Sequence, residues 1–132
     1  MVAVLWVVTT AARIHVWGDE RLLWSEAVAH APDKPRPWVN LGNQYARLGA
    51  PGMATYAYEQ AIRSAASPMR SADEQRIGRG IAEANLARLW FEAGDLARAV
   101  TLTAAAAERS GLDSVRAYHA WLVFQQASSS PR

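Results

Sequence analysis

Polar side chains that could form a binding site recur at helical spacing in the first half of the chain. Four of them stand at i, i+4, i+7 and i+11, on one stripe of a helix: Arg36, Asn40, Asn43 and Arg47. The equivalent stripe 45 residues later consists of Ile81, Asn85, Arg88 and Glu92. Amides donate and accept hydrogen bonds, and guanidinium groups bind carboxylates with two parallel bonds, so these residue types are suited to ligand binding. The alternative is a solvated face, because any amphipathic helix carries polar residues opposite its apolar stripe.

The sequence contains no pattern typical of catalysis or of metal binding. Its three histidines, His15, His30 and His119, are isolated, and it has no HExxH motif, no glycine-rich phosphate loop and no Ser, His and Asp arrangement. It also has no cysteine, which excludes disulfides and thiolate metal sites. We therefore predict a non-enzymatic protein with no catalytic residue, no metal and no cofactor.

Length and charge limit the fold and the partners. The chain has 132 residues, of which 51% are hydrophobic, and this suits one folded domain with a modest core. Its formal net charge is only +2, and the arginines are dispersed among acidic residues. The composition therefore argues against a nucleic-acid partner.

The polar stripe Arg36 to Arg47 belongs to a predicted pair of helices. Its apolar counterpart shares one helix face and consists of Trp38, Leu41, Gly42, Tyr45 and Leu48. Gly42 on this face leaves room for a ring from a neighbouring helix, because glycine has no Cβ. Gly49 is expected to end the helix and Pro51 to lie in the first turn of the next one, so the two form a hairpin. The facing stripe of the second helix consists of Ala54, Tyr58 and Ala61.

These residues resemble a tetratricopeptide repeat. Trp38, Leu41, Gly42 and Tyr45 match the W-x2-L-G-x2-Y order of that family, and Ala54, Tyr58 and Ala61 continue it. The resemblance implies an all-α fold in which helical hairpins stack as a short right-handed α-solenoid, with an apolar N-terminal helix and a C-terminal capping helix. It also implies that the polar stripes line a concave groove for a peptide. Asn40 and Asn85 would bond the peptide backbone, Arg36, Arg47 and Arg88 would attract acidic groups, and Asn43 would complete the site.

The rest of the chain is read as partial copies of this repeat within a domain spanning residues 18–127. We expect a half repeat at 19–31, a turn at 31–37, the full repeat at 36–66, a looser repeat at 72–109, a capping helix at 113–126 and a disordered tail at 128–132. The looser repeat follows at 45 residues, where the family period is about 34. It has Glu83 in place of Trp38 and Thr103 in place of Tyr58. A capping box of Ser71 and Glu74 should open its first helix.

Residues expected in the core of the looser repeat and of the capping helix follow the same helical periodicity. In the first helix of the looser repeat they are Ile77, Ile81, Leu86, Leu89 and Trp90. Gly78 and Gly80 should weaken that helix. Tyr118, Trp121, Leu122 and Phe124 give the last helix an apolar side. Core packing is also the expectation for Trp24 and Trp38.

The N-terminal segment, residues 1–17, is predominantly apolar and is a candidate membrane or docking element. Its candidate contact residues are Leu5, Trp6, Val7, Val8 and Trp17. It is shorter than the roughly 20 apolar residues of a spanning helix. Three interpretations stay open, namely the end of a transmembrane helix, a short membrane or partner anchor, and a helix that packs on the repeats.

A second resemblance concerns the junction between this segment and the repeats. It is similar to the junction with the tetratricopeptide tail in multi-spanning bacterial O-mannosyltransferase-like and glycosyltransferase-like membrane proteins. The residues that carry it are Thr10, Arg13, Trp17, Asp19, Glu20, Leu23, Trp24 and Pro32. It carries over no catalytic residue.

The leading functional hypothesis is a scaffold that binds a peptide or protein segment, with acidic groups favoured, in a concave helical groove. One alternative is the soluble tail of a membrane glycosyltransferase-like enzyme. Another is a structural subunit docked in a larger complex through residues 1–17. We expect membrane association, with the repeats in an aqueous compartment on either side of the membrane, and the alternative is a soluble cytoplasmic protein.

Overall fold

The computed structural model describes residues 19–129, and within that range it contains helices and no strand. The helices, which pack against one another, are α1 (Glu20–His30), α2 (Pro35–Arg47), α3 (Pro51–Ala65), α4 (Ala72–Glu92), α5 (Leu96–Ser110) and α6 (Asp113–Ser129). The predicted all-α class is therefore confirmed.

Side chains cap the N-termini of three helices, and one of these caps is the predicted capping box. Asp19 accepts hydrogen bonds from backbone N–H groups at 2.9 and 3.3 Å, and Asp95 accepts one at 3.0 Å. The predicted capping box is present, since the Ser71 hydroxyl accepts from the Glu74 N–H at 3.2 Å and the Glu74 carboxylate accepts from the Ser71 N–H at 3.1 Å. Backbone hydrogen bonds, from Leu22 to Asp19 and from Ser71 to Glu74, hold the pKa of both carboxyls below its ordinary value.

The ends of the helices also follow local rules. Gly49, Gly94 and Gly111 have φ of 69°, 86° and 63°, the left-handed conformation that ends a helix and that glycine adopts most easily. Helix α2 begins at Pro35, inside the turn predicted at 31–37, because the first turn of a helix does not require the N–H that proline lacks. At the other end of the chain, α6 continues to Ser129, so residues 128 and 129 of the predicted tail are helical.

A glycine and a tyrosine fill the centre of the α2–α3 hairpin. A Cβ at Gly42 would lie 2.5 Å from Cε1 of the Tyr58 ring, closer than non-bonded carbon atoms approach. Tyr58 is fully buried, and its hydroxyl donates to Oδ1 of Asn43 at 2.7 Å. The predicted role of Gly42, to make room for a neighbour's ring, is confirmed.

Helix α4 explains the long spacing between the two hairpins. It has 21 residues and α2 has 13, a difference of eight, and the two helices end at equivalent positions 45 residues apart. The added residues therefore form about two extra turns at the N-terminus of α4.

Gly78, in these extra turns, and Gly80, immediately after them, lie at close contacts with other helices. A Cβ at Gly78 would lie 2.8 Å from Cγ of Pro35 on α2, and a Cβ at Gly80 would overlap Cβ of Ser110 on α5. Glycine here has a packing role, which offsets the weak helix propensity that the sequence indicates. It allows α4 to approach α2 and α5 together.

The helices form two layers. Each helix contacts the next one along the chain, and in addition α2 contacts α4 and α4 contacts α6. Among residues 19–129, the odd-numbered helices α1, α3 and α5 do not contact one another. The even-numbered helices therefore form a continuous layer, and the odd-numbered ones lie against its back.

The last helix leaves a large apolar surface exposed. Leu122 and Val115 are buried against α5 and α4, as one side of a capping helix should be. Trp121 and Phe124, however, are 43% and 66% exposed. The expectation that Trp121 lies in the core is therefore wrong, because its position on the helix turns its ring to the surface. There it forms a T-shaped contact with Phe91, with ring centroids 5.0 Å apart.

The predictions for the N-terminal segment fall outside the described residues. Its candidate membrane or docking residues are Leu5, Trp6, Val7, Val8 and Trp17. Between residues 19 and 129, none of the helices has both the length and the apolar character needed to cross a bilayer.

Candidate binding groove

A cleft of about 740 Å³ lies between α2 and the N-terminal half of α4. Its apolar lining comes from Pro35, Val39, Ile77, Gly78 and Ile81. Its polar and charged lining comes from Lys34, Arg36, Asn40, Asn43, Arg70, Asp73, Glu74 and Asn85. The cleft combines exposed apolar surface with a few polar groups, which is the usual composition of a ligand site.

Four of the six predicted groove residues line this cleft, and three of them have no partner within the protein. Among residues 19–129, no hydrogen bond or ion pair engages the side chains of Arg36, Asn40 and Asn85. Asn43 is different, because its Oδ1 accepts the hydroxyl of Tyr58 and thereby serves the core of the hairpin. The guanidinium and amide groups of the first three are therefore available to a ligand.

Arg47 lies outside the cleft, although it shares the stripe of Arg36 and Asn40. Its Nη2 contacts Oε2 of Glu20 on α1 at 2.6 Å. Gln44 donates to the same carboxylate oxygen at 2.6 Å. This ion pair draws the long side chain of Arg47 toward α1, so the residue links α1 to α2.

Arg88 lines an adjoining hollow of about 250 Å³ between α4 and α6. The hollow shares Ile81 and Asn85 with the cleft, so the two form one continuous depression across α2, α4 and α6, here called the groove. The Arg88 guanidinium lies 3.9 Å from the Glu92 carboxylate, which partly offsets its charge. At this end of the groove the Tyr118 hydroxyl is buried and has no hydrogen-bond partner in the described part of the chain. Burial raises the pKa of that hydroxyl.

Two isoleucines expected in the core line the groove instead. Ile77 and Ile81 are 37% and 40% exposed. They precede Asn85 by eight and four residues and so continue its stripe toward the N-terminus of α4. That spacing is the sequence feature that places both isoleucines on the groove side of α4. Ile77 lies in the extra turns of α4, and Ile81 stands at the position equivalent to Arg36, on the stripe that faces the groove.

Charged side chains at the α4 end of the groove are largely paired with one another. Arg70 contacts Asp33 at 2.6 Å, and its side chain is only 14% exposed. Glu74 belongs to the capping box, and after the hydrogen bonds from Ser71 the charges of Arg70 and then Lys34 also lower its pKa. On the α2 side of the cleft, neither Lys34 nor Arg36 has an ion-pair partner within residues 19–129.

No similar protein helps to assign a function to the groove. Comparison with protein-family models, with curated proteins and with solved structures finds no match for the chain. No group of three or more His, Asp or Glu side chains between residues 19 and 129 is placed to hold a metal ion. What the groove offers a ligand is hydrogen bonds, the positive charges of Lys34 and Arg36, and apolar surface.

Proposed function

We propose that this protein is a tetratricopeptide-like helical repeat that binds an extended segment of a partner protein in the groove across α2, α4 and α6. The observation that carries the proposal is the set of unpartnered side chains Arg36, Asn40 and Asn85 in a cleft that also exposes Ile77 and Ile81. Polar groups that are removed from water normally have hydrogen-bond partners, and of these three side chains Asn40 and Asn85 are half-buried and Arg36 is exposed. A row of free ones beside exposed isoleucine favours a ligand surface.

The two-layer arrangement supports the repeat interpretation. In a stack of helical hairpins that curves, the first helices of successive hairpins lie on the inside of the curve and approach each other, while the second helices spread apart. The contacts of α2 with α4 and of α4 with α6, without equivalent contacts among α1, α3 and α5 in the described range, match that geometry. The groove lies on the layer formed by the first helices.

Each class of side chain in the groove has a distinct part in the proposed binding. Asn40 and Asn85 occupy equivalent positions on α2 and α4, and an amide bonds both the N–H and the C=O of an extended backbone. Ile77 and Ile81 accept an apolar side chain of the segment. Arg36 favours an acidic side chain through a charge-assisted bond. The proposed ligand is therefore an extended segment with an acidic residue near an apolar one.

A peptide-selection experiment tests the proposal. The full chain selects binders from a phage library of random 12-residue peptides, and fluorescence anisotropy then gives the affinity of an enriched peptide. The variant Arg36→Ala with Asn40→Ala should weaken binding about 30-fold, because it removes one charged and one neutral hydrogen bond. Circular dichroism checks that the variant is folded.

Arg47→Ala provides the matched control, since Arg47 lies on the same stripe but is paired with Glu20 outside the cleft. Its affinity for the peptide should stay within about twofold of the unchanged protein. The proposal is wrong if no peptide is enriched over a bead-only selection, or if the double variant binds the selected peptide as well as the Arg47→Ala control does.

A further inference from the structure

A second hollow, of about 300 Å³, lies on a different face of α4 and is lined by three arginines. Arg76 and Arg79 come from the extra turns of α4, and Arg109 comes from the last turn of α5. The remaining lining is Gln75 and three alanines, so no acidic side chain lines the hollow. Its volume is about ten times the share of one water molecule in the liquid, roughly 30 Å³.

Glu83 holds two of these arginines in place from below. Its side chain is 4% exposed, its Oε1 accepts from Nε of Arg79 at 2.8 Å, and its Oε2 accepts from Nη1 of Arg109. Glu83 itself does not line the hollow. It occupies the place where the first hairpin has Trp38, so this departure from the repeat pattern creates a carboxylate that orients two guanidinium groups.

The third arginine is anchored separately. Nη1 of Arg76 donates to the carbonyl oxygen of Ser110, and its Nη2 contacts Asp73 at 3.0 Å. The three guanidinium groups and the two carboxylates that hold them, of Glu83 and Asp73, leave one positive charge in excess.

Most of the hydrogen-bond donors around the hollow are still unused. A guanidinium group has five N–H donors, and Arg79 uses Nε while Arg109 uses Nη1. Neither arginine has a further acceptor among residues 19–129. The free N–H groups lie on side chains that are about 40% exposed, with 40% for Arg79 and 41% for Arg109. Fixed, partly desolvated guanidinium groups with spare donors are the usual ligands of tetrahedral oxyanions.

The geometry points to an oxyanion site here, taking a phosphate group. Arg79 and Arg109 donate to the phosphate oxygens while Glu83 keeps both side chains in position, and Arg76 closes the rim. The site does not depend on the peptide-binding groove, which lies on another face of α4. The same phosphate chemistry is offered by free inorganic phosphate and by the phosphomonoester of a small organic molecule.

Nuclear magnetic resonance titration of the full chain tests this site. Sodium phosphate and glycerol 3-phosphate are added separately at constant ionic strength, with sodium acetate as the reference for general salt effects. Saturable shifts at the Nε resonances of Arg79 and Arg109 are expected with phosphate and not with acetate. Tighter binding of glycerol 3-phosphate would identify an organic phosphate as the preferred form, and equal binding would identify the phosphate group alone.

Arg76→Gln should weaken phosphate binding about tenfold without exposing Glu83, because Arg76 is not one of its partners. Arg63→Gln is the matched control, since Arg63 is an exposed arginine paired with Glu59 away from the hollow, and it should leave the affinity unchanged. Arg79→Lys keeps the charge but loses the planar fork, and should also weaken binding. Shifts that stay linear with concentration, or that match those of acetate, overturn the inference, as does an unchanged affinity in a folded Arg76→Gln protein.

Discussion

The two hairpins, α2–α3 and α4–α5, solve the same packing problem with different residues. In the first, Gly42 faces Tyr58, and the ring occupies the space that a Cβ would need. At the equivalent places, 45 residues later, the second has Ala87 and Thr103, both fully buried. In the first hairpin the large Tyr58 side chain lies against glycine, which has no Cβ. In the second hairpin the smaller Thr103 side chain stands opposite the methyl group of Ala87. The volume at the centre is therefore shared differently, and the helices still pack.

The hairpins also differ in how they connect to their neighbours. Trp38 is half-buried and its Nε1 donates to the carbonyl oxygen of Pro32 at 2.8 Å, so it holds the chain that enters α2. Its counterpart Glu83 is 3% exposed and paired with two arginines, one of them on α5. The first hairpin uses an aromatic side chain for this connection and the second uses charge. The looser match to the repeat pattern thus reflects a polar network rather than poorer packing.

The largest effect should come from removing the tyrosine at the centre of the first hairpin. Tyr58→Ala should lower the free energy of unfolding by about 4 kcal/mol, because it leaves a cavity the size of a ring and deprives Asn43 of its donor. Thr103→Ala, the matched change in the second hairpin, should cost about 1 kcal/mol. Urea unfolding followed by circular dichroism measures both. Equal decreases in the free energy of unfolding of the two variants would contradict the proposed difference in packing at the centres of the two hairpins.

A medium effect should come from adding a Cβ where the ring already lies. Gly42→Ala should destabilise by about 2 kcal/mol, because the clash with Tyr58 outweighs the better helix propensity of alanine. In a Tyr58→Thr background, which copies the second hairpin, the same change should be neutral or stabilising by up to about 1 kcal/mol.

The double-mutant cycle from these unfolding measurements therefore predicts a coupling of about 2 to 3 kcal/mol between positions 42 and 58. Ala87→Gly in the second hairpin serves as the control and should simply cost about 1 kcal/mol. Additive effects of the two changes in the first hairpin would refute the shared-volume explanation.

The smallest effect concerns alkaline pH. Burial raises the pKa of the Tyr58 hydroxyl above its ordinary value of about 10. A raised pKa in the folded state means that the stability from keeping this hydroxyl neutral is complete below about pH 10, and is lost as pH rises through the folded pKa. Between pH 8 and pH 11, the free energy of unfolding should fall less steeply with rising pH for Tyr58→Phe than for the unchanged protein. Tyr118 is present in both proteins, so identical slopes would mean that Tyr58 does not contribute.

Local signals predicted the elements well. The caps at Asp19, Ser71 and Asp95 depend on bonds to backbone groups within three residues, and the glycine stops depend on a single φ angle. Such features need no information about distant parts of the chain. Helix α1 consequently begins at Glu20 and ends at His30, within the half repeat predicted at 19–31.

The burial of individual apolar side chains was harder to predict than the helices themselves. Ile77 and Ile81 have the character of core residues, and Trp121 is the largest apolar side chain of its helix. Whether such residues are covered depends on where the neighbouring helices end, which periodicity does not contain. Ile77 lies in the extra turns of α4 and Ile81 faces the groove, and the far side of α6 has no neighbour among residues 19–129.

The sequence by itself determined the helices, their caps and stops, the central role of Gly42 and the stripe of polar residues, because these follow from contacts within a few residues or from helical periodicity. Only the tertiary structure decided which polar side chains remain free. Arg47 pairs with Glu20, 27 residues away, and Asn43 accepts a hydrogen bond from Tyr58, 15 residues away. Arg36 and Asn40, in contrast, have no partner in the described chain. Partners so distant in sequence meet through helix packing, which no local pattern specifies.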